Sequence, residues 1–458
     1  MKTFQDLQRI SDNIADRMAF VNSVISDHKS SDLYKTAKIA DKYFKHQNVT
    51  IEEFQKFLYT VTGKVIPDNW SANYKLENNL YFYFIVQEVQ YLLGNGVTFK
   101  NKDTESKLGT KEKSFDNQIK KIAEQAKNAG VSFGFFNQNY VDDFSVLEFA
   151  PLYDEIDGSL KAGVRFWQVD ASKPLRATLY EIDGHTDFIW LKEDTPIEKD
   201  WTKISDGQYY KEKKSYTDIV ETSNAYGDEI VDGENYPSFP IVPMWGNPEK
   251  QSAIVGMRSK LDALDLILSG MCNTIDEASI VYWTLTNAGG MDDVDLAKFI
   301  ERLKTTHAAT VDDEIQVDSH SIEPPIQGRE TTIERLKKEL FTDAMALDVG
   351  QIASGNVTAT QIRAAYEPLN EKTDRFESCV SQFVDNILAV AGIEDVATFT
   401  RSKIVNVSEE ITTVIQASGV LPQEFIVEKV LTLLGDKDRF PEVMKQIQAD
   451  SIPVVDDE

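Results

Sequence analysis

The sequence predicts an α+β chain that is mainly helical, with a β-rich lobe in its first half and a small α/β insert between two long helices in its second half. Apolar residues recur at spacings of three and four over most of the chain, which is typical of helices buried on one face. From Val131 to about Trp201 the pattern changes to short alternating runs separated by Asp, Gly and Pro, which indicates antiparallel strands. Near residue 280 a run of β-branched and aromatic residues interrupts the helical spacing again.

Residues 1–250 are expected to hold N-terminal helices followed by the β-rich lobe. The stretches IEEFQKFLYTV and NNLYFYFIVQEVQYLLG carry helical spacing, and Gly94 is expected to cap the second helix. The charged stretch NKDTESKLGTKEKS has no periodicity, so we expect a loop there. Three prolines in FPIVPMWGNP exclude a continuing helix or a central strand and close the lobe.

A heptad-like apolar seam predicts one long helix over about 250–278. The seam comprises Ile254, Met257, Leu261, Leu264, Leu268, Met271 and Ile275. Residues 279–327 are then expected to form a compact insert of strands and one amphipathic helix, and a second long helix is expected over 328–348. The seam could pack within one chain or between copies, and the sequence leaves both possibilities open.

The stretch VGQIASGNVTATQIRAAYEP predicts a loop over 349–357 that leads into a long helix within 358–400. Thr358 and Gln361 have capping-box spacing at the start of that helix. Helical spacing continues to about Ala391 although Pro368 lies inside it, so we expect Pro368 to kink the helix. Residues 401–458 are expected to form short helices and an acidic tail.

Charge and cysteine content limit the classes of function. The chain has 48 Lys and Arg against 75 Asp and Glu, and its formal charge of -27 argues against holding nucleic acid by bulk electrostatics. Cys272 and Cys379 lie in apolar helical patterns and are expected to be buried, reduced thiols of an intracellular protein. The longest apolar run, Leu80 to Val86, is too short to span a bilayer, so we expect no membrane contact.

Signatures of common enzymes, such as GxxxxGK[ST], HExxH and GxSxG, are absent from the sequence. The five histidines have no histidine or cysteine at ligand spacing, so we expect them on the surface or in turns, and we expect no metal or cofactor. Acidic clusters could hold a divalent cation, or they could be solvated groups at turns and helix starts, which this acidic composition favours. These clusters are Asp142–Asp143, Asp292–Asp293 and Asp312–Asp313–Glu314.

Basic residues concentrate on the second long helix of this half. They are Arg329, Arg335, Lys337 and Lys338. Glu330, Glu334 and Glu339 alternate with them and could neutralise the same face by pairing at i,i+4 spacing. The sequence leaves open whether this face is functional or neutralised.

The order of long helix, small insert, second helix, glycine-containing loop and kinked helix resembles the central part of tailed-bacteriophage portal proteins, the head-to-tail connector rings of the SPP1-like portal family. Four stretches also look like segments of that family: NNLYFYFIVQEVQYLLGNGVTF, LKAGVRFWQV, FPIVPMWGNPEKQS and ASGVLPQEFIVEKVLTLLGDKDRF. The resemblance covers roughly residues 75–450. The loops at 100–118 and 205–235 match nothing in it, Phe166-Trp167 replaces a tyrosine pair, and Pro422 stands where serine is common.

The resemblance implies a role for each segment. It makes 1–250 the wing, 251–278 and 328–348 the stem helices, 279–327 the clip, 349–357 the tunnel loop, 358–400 the kinked helix below the crown, and 401–458 the crown. In the tunnel loop, Gln351, Ser354, Gly355 and Asn356 would then face a DNA channel. The stem arginines and lysines are candidates for facing it too. A plain surface connection between helices is the alternative for this loop.

The resemblance further implies a non-enzymatic homo-oligomer, a ring of about twelve copies at one capsid vertex. Double-stranded DNA would pass through it with weak, non-specific contacts, because an acidic wall repels the duplex. The implied partners are the terminase large subunit, the major capsid and scaffolding proteins and a head–tail adaptor. The protein would occupy the host cytoplasm during assembly and then the virion. The alternatives are a metal-dependent DNA-processing enzyme and a scaffold that contacts only proteins.

Overall fold

The computed structural model describes residues 2–60, 63–69, 71–191, 200–223, 229–278, 282–286, 316–320, 326–350, 359–402, 407–419, 421–434 and 439–450, with a few single residues between 292 and 301. The chain divides into two compact units. The larger unit comprises Met1–Asp348 and Pro368–Thr400, and the smaller unit comprises Val349–Glu367 and Arg401–Glu458.

Four helices begin the larger unit: α1 (Phe4–Gln8), α2 (Ile14–Ser30), α3 (Asp32–Phe44) and α4 (Val49–Glu53). The side chains of Thr3, Asn13, Ser31 and Asn48 accept backbone hydrogen bonds at their N-termini, as favoured capping residues do. The predicted helix over IEEFQKFLYTV is wrong beyond Glu53. A hairpin of β1 (Phe57–Tyr59) and β2 (Val65–Pro67) follows instead, because this run is rich in aromatic and β-branched residues that pair well across strands.

Two longer helices then build the core, α5 (Leu80–Leu93) and α7 (Phe115–Ala129), separated by β3 (Val97–Phe99) and α6 (Thr104–Leu108). The short helix α6 lies within a stretch that we expected to be a loop throughout. Gly94 follows α5 but keeps a right-handed conformation, whereas Gly96 takes the left-handed one, with φ of 77°. A Cβ at Gly96 would lie 2.2 Å from Oδ2 of Asp116. Both the left-handed backbone and the lack of space for a side chain therefore require glycine here.

The β-rich lobe consists of antiparallel strands, as its alternating pattern indicates. The strands are β4 (Val131–Phe136), β5 (Val141–Ser145), β6 (Phe149–Tyr153), β7 (Leu160–Trp167), β8 (Leu175–Glu181), β9 (Gly184–Trp190), β10 (Thr202–Ser205), β11 (Gln208–Tyr210), β12 (Thr217–Ser223), β13 (Glu229–Glu234) and β14 (Ile241–Trp245). One sheet has the order β10-β11-β9-β8-β7-β6, a second has β14-β4-β5, and β12 pairs with β13. Pro243 lies in β14, which is an edge strand and tolerates the missing amide.

The second half begins with α8 (Arg258–Ala278), β15 (Tyr282–Thr286), β16 (Gln316–His320) and α9 (Ile326–Asp343). Helix α8 starts several residues later than predicted, because Gly256 adopts a left-handed φ of 90° in the turns before it. Helix α9 ends before residue 348 because Met345 also has a positive φ, 48°. Strands β15 and β16 pair antiparallel, and most of the rest of the predicted insert lies outside the described residues.

Helix α10 (Ala359–Ala391) runs through Pro368 and ends where the spacing predicted. Strand β17 (Ala397–Phe399) then pairs with β3. In the smaller unit, α11 (Val407–Gln416), a 3-10 turn (Ala417–Gly419), α12 (Gln423–Leu434) and α13 (Phe440–Asp450) follow. Within the described part of the chain, none of the helices combines the length and apolarity that crossing a bilayer requires.

The largest hydrophobic core joins α5, α7, α8, α9 and α10 in the larger unit. Its fully buried members include Phe84, Ile122, Leu264, Leu340 and Val384, one from each of these helices. Two further cores lie under the sheets of the lobe. Helices α8 and α9 and the part of α10 from Pro368 onwards are therefore packed on α5 and α7 within one unit.

Candidate functional site

The apolar seam of α8 is covered along only part of its length. Leu261 and Leu264 are buried, and Met257 is buried in the turn before the helix. Leu268 and Met271 are partly buried, and Ile275 is 45% exposed. The seam predicted from the sequence therefore packs into the core at its beginning and becomes exposed towards the C-terminal end of the helix.

Helices α8 and α9 are tied together at both ends. Near the start of α8, Nζ of Lys260 lies 2.6 Å from Oδ2 of Asp343 and 3.3 Å from Oε2 of Glu339, and these contacts raise the pKa of Lys260. Near its end, Arg329 donates from one guanidinium nitrogen to the carbonyl of Gly270 at 2.8 Å and to Oγ1 of Thr274 at 2.7 Å. The two helices therefore form an antiparallel pair.

The other three basic residues of α9 have few partners. Nε of Arg335 lies 3.0 Å from Oε1 of Glu339, which is the neutralising i,i+4 pair weighed above. Lys337 and Lys338 are exposed, and neither makes an ion pair with the described residues. Whether these groups face a channel stays a prediction.

A ladder of hydrogen bonds joins a second face of α8 to the segment before α5. The amide of Tyr74 donates to Oδ1 of Asn273 at 2.7 Å, and the amide of Leu76 donates to Oγ of Ser269 at 3.0 Å. The amide of Asn78 donates to Oδ1 of Asp265 at 3.1 Å. Alternate amides of the segment thus meet side chains one helical turn apart. We call residues 74–78 the strap.

At the end of the ladder where Asn78 lies, two aspartates of α8 make further hydrogen bonds. Asp265 also accepts from Nδ2 of Asn48 at 2.7 Å and from Nδ2 of Asn78 at 2.5 Å. Burial raises the pKa of the Asp265 carboxyl, and these amide hydrogen bonds oppose that rise. Asp262 accepts from the hydroxyls of Tyr43 and Thr50, and burial together with Asp262 raises the pKa of Tyr43 to about 12.

Sequence reasoning missed this polar face. Asp262, Asp265, Ser269 and Asn273 follow one another at spacings of three, four and four, which is a helical stripe as regular as the apolar seam beside it. A stripe of small polar residues on a helix that also carries an apolar seam was the available signal.

A buried charge cluster holds α10 against α5 and α7. The carboxylate of Glu88 has no exposed surface, and Nζ of Lys127 and Nζ of Lys372 each lie 2.7 Å from one of its oxygens. Burial acts to raise the pKa of Glu88, but the two lysines together outweigh it and hold the pKa below its ordinary value. Burial lowers the pKa of Lys127, which also lies over the ring of Phe376. We call these three residues the buried triad.

The boundary between the two compact units falls inside α10, between Glu367 and Pro368. Just after this boundary, Oδ1 of Asn370 lies 2.5 Å from the hydroxyl of Tyr91, and Lys372 enters the buried triad. The helix is therefore fixed to the core directly after its proline, and the expected kink stays a prediction. The tunnel-loop candidates Gln351, Ser354, Gly355 and Asn356 lie outside the described residues.

One of the acidic clusters is placed differently from what we expected. Asp142 and Asp143 lie on β5 and not at a turn, where Lys113 and Lys121 approach them at 3.2 and 2.7 Å. Asp292 accepts from two backbone amides, as expected at a helix start. Asp293, Asp312, Asp313 and Glu314 lie outside the described residues, and within the described ones no three His, Cys, Asp or Glu side chains converge on a metal-sized site.

His28 contradicts the expectation that the histidines lie at the surface or in turns. It lies in the last turn of α2, is only 1% exposed, and its Nε2 lies 2.7 Å from the carbonyl oxygen of Val146. Because a carbonyl only accepts, Nε2 carries the proton, and burial lowers the pKa of this imidazole. Cys272 and Cys379 are free thiols, but both are half-buried and not fully buried as expected.

Comparison with known proteins decides the family. The family described as "Phage portal protein, SPP1 Gp6-like" matches residues 25–452. The chain belongs to this family. The portal protein of Clostridium phage phiCD119 is 25% identical over 209 residues, which covers 43% of this chain and 46% of the relative. The portal protein of Bacillus phage SPP1 is 21% identical over 439 residues, covering 89% of this chain and 82% of the relative.

Solved structures are more distant from this portal-family chain. A chain from the neck of an empty GTA particle has a TM-score of 0.46 and 10% identity, and the match covers 78% of this chain and 90% of the other. A chain from the virion of a native gene transfer agent particle has the same TM-score and identity, with 89% of it covered. The match to phiCD119 spans less than half of that relative's length.

Proposed function

We propose that copies of this chain form a closed ring at one vertex of a phage capsid, the channel through which double-stranded DNA is packaged and later ejected. The observation that carries the proposal is the match of residues 25–452 to a family of phage portal proteins. Cyclic symmetry is the usual way for identical subunits to enclose a pore, and we propose about twelve copies. The family is structural, and the proposal assigns no catalytic residue, metal or cofactor.

The proposal assigns a position to each part of the second half. The antiparallel pair α8 and α9 forms the stem, the β15–β16 hairpin belongs to the clip, and residues 349–357 form the tunnel loop at the channel. Exposed Lys337 and Lys338 on α9 are the stem residues best able to meet DNA. The net charge of -27 supports weak contacts, since an acidic wall repels phosphates and does not hold the cargo in place.

The proposal also assigns partners. The terminase large subunit docks on the clip during packaging, and a head–tail adaptor replaces it there afterwards. The major capsid and scaffolding proteins contact the wing while the particle assembles in the host cytoplasm, before the ring becomes part of the virion. We do not favour a metal-dependent enzyme, because Asp142 and Asp143 are each engaged by a lysine.

The first test is the mass and symmetry of the purified protein, measured by native mass spectrometry and electron-microscope class averages. We expect a cyclic oligomer of about a dozen subunits with an open centre wide enough for duplex DNA. A chain that stays monomeric over a wide range of concentration and salt, also in the presence of scaffolding protein, would refute the ring. A ring whose centre is narrower than a duplex would instead favour a scaffold that contacts only proteins.

A further inference from the structure

The hairpin β1–β2 presents one apolar face to solvent. Phe57 pairs with Pro67 and Tyr59 pairs with Val65, so these four side chains share a face, while Leu58 and Ile66 share the other. All four are exposed, Tyr59 by 80%. We call these four residues the hairpin face. An isolated two-stranded hairpin is at best marginally stable in water, so a face of this kind requires a cover.

The charge of the hairpin also differs from that of the chain. Residues 55–67 contain Lys56 and Lys64 and no Asp or Glu, in a protein whose formal charge is -27. Nζ of Lys56 lies 3.0 Å from Oε1 of Glu277 of the same chain, and Lys64 is exposed. A surface that is both apolar and basic fits an apolar and acidic one.

Such a surface lies at the C-terminal end of α8. Leu268 and Met271 lie at the margin of the core and are only partly buried, and Ile275, which continues the apolar seam beyond them, is 45% exposed. Asp276 is exposed in the same turn, and the helix dipole adds partial negative charge at this terminus. We call Leu268, Met271 and Ile275 the lower seam.

Within one chain these two surfaces do not meet. The strap holds the segment after the hairpin to the polar face of α8, through Asp265, Ser269 and Asn273. At about 100° per residue that polar face is centred roughly 135° around the helix from the lower seam. The hairpin is in place in the structure, and Ile275 remains exposed.

We infer that in the assembled ring the hairpin face of one copy covers the lower seam of the next copy. This inference rests on the proposed function. A cyclic assembly uses heterologous contacts, in which one patch on each subunit meets a different patch on its neighbour. The two patches match in apolar character and oppose each other in charge, and one lies on the hairpin and the other on α8, so that each can meet a different patch of a neighbouring copy.

Disulfide cross-linking of the full chain tests the contact. In a Cys272→Ser, Cys379→Ser background, Tyr59→Cys is combined with Ile275→Cys, and the assembled protein is mildly oxidised. The matched control combines Ile275→Cys with Val169→Cys, because Val169 is an equally exposed apolar residue, 86% accessible, in the β-rich lobe. We expect a ladder of covalent multimers in denaturing gels, at least about tenfold stronger than in the control, since a disulfide forms only between Cα atoms within about 7 Å.

Native mass spectrometry of the same samples separates the two hypotheses. A ring with no ladder above the control overturns the inference and leaves the proposed function intact. A chain that neither assembles nor cross-links refutes both.

Unmodified protein provides a second measurement if the cysteine variants do not fold. Hydroxyl-radical labelling of Phe57 and Tyr59 is compared between assembled and dissociated protein, with Val169 as the internal control. We expect labelling of both aromatics to fall at least about fivefold on assembly, because a covered side chain is shielded from solvent. Equal labelling in the two states would overturn the inference.

Discussion

At the scale of single residues, the buried triad shows how charges far apart in the sequence come to depend on one another. Glu88 on α5 lies between Lys127 on α7 and Lys372 on α10. An ion left alone in the interior is very costly, whereas a well-placed partner offsets most of that cost. We therefore expect the triad to fix the position of α10 on the core more specifically than apolar contacts can.

Replacing Glu88 removes the partner of both lysines. We expect Glu88→Gln to lower the free energy of unfolding by about 3–5 kcal/mol, the range for breaking a buried ion pair from one side. The measurement is urea unfolding at neutral pH and fixed protein concentration. Glu105→Gln, at an exposed position on α6, is the control and should change stability by less than about 0.5 kcal/mol. Equal effects of the two variants would show that the triad contributes nothing specific.

The same pair of proteins gives a pH prediction. The folded-state pKa of Glu88 is below the ordinary value of 4.5, so its stabilising contribution is complete above that pH and is lost as the pH falls through the folded pKa. We expect the stability difference between the unmodified chain and Glu88→Gln to be constant above about pH 4.5 and to shrink below it. A difference that grows in acid would mean that burial outweighs the lysines.

Sequence patterns could not have located the triad, because they treat charged residues on helices as surface groups. Most of the sequence of the larger unit lies between Glu88 and Lys372, so no local spacing relates these two residues. His28 is different. Val21, Val24 and Ile25 precede it at helical spacing, so the apolar face of α2 already predicted its burial, and the general expectation for histidine was the wrong guide.

At the scale of elements, the strap depends on two short side chains of α8. We expect Ser269→Ala together with Asn273→Ala to cost about 1–2 kcal/mol per lost acceptor, because the amides of Leu76 and Tyr74 are left without their partners. Hydrogen exchange should show these two amides exchanging at least about tenfold faster. Ser259→Ala, at the beginning of the same helix, is the control. Unchanged exchange would mean that other contacts hold the strap.

The proline of α10 allows a test of the expected kink. Pro368→Ala restores an amide donor for the carbonyl of Ala364 and relieves the ring clash, so we expect the helix to straighten with stability unchanged or increased by up to about 3 kcal/mol. Spin labels at Arg363 and Ser378 should then report a changed distance. Glu371→Ala, on an exposed position nearby, is the control. A loss of stability with no change in the label distance would contradict the prediction.

Element prediction succeeded where the pattern was long. The spacing of apolar residues by three and four correctly predicted that α10 continues through Pro368 to Ala391, because many positions along this helix fit the pattern. It failed at β1–β2, since a short apolar run fits a helix and a strand equally well and only tertiary pairing decides between them. The turn before α8 was missed for a related reason: the seam residues Ile254 and Met257 are buried there without being helical.

At the scale of the whole molecule, the tunnel loop is the part whose function can be separated from assembly. We expect deletion of residues 354–357 to leave the ring intact and to impair packaging or retention of DNA, because the loop is proposed to touch the cargo and not a neighbouring subunit. Particles made with the deleted chain are assayed for nuclease-protected DNA, and the ring is checked by electron microscopy. Loss of the ring would place the loop in a subunit interface.

The order of elements along the chain was the strongest signal in the sequence, since each motif alone is short and common. Long helix, insert, second helix, loop and long helix pointed to the portal family, and the family match over residues 25–452 confirms it. Contacts between copies could not be predicted in this way, because one sequence shows which faces are apolar and not which of them meet. The partly exposed lower seam and the exposed hairpin face became visible only once the rest of the core was in place.

The hydrogen bonds of the strap limit where residues can be inserted into this chain. An extended chain advances about 6.6 Å over two residues, and a helix advances about 6 Å over four, so each rung of the ladder gains about 0.6 Å of mismatch. Three rungs stay within the tolerance of a hydrogen bond, and a much longer ladder would not. The ladder therefore matches two residues of the strap to four residues of α8. An insertion keeps this register only if two residues added to the strap are accompanied by four added to α8. Any other change would shift the hairpin relative to α8.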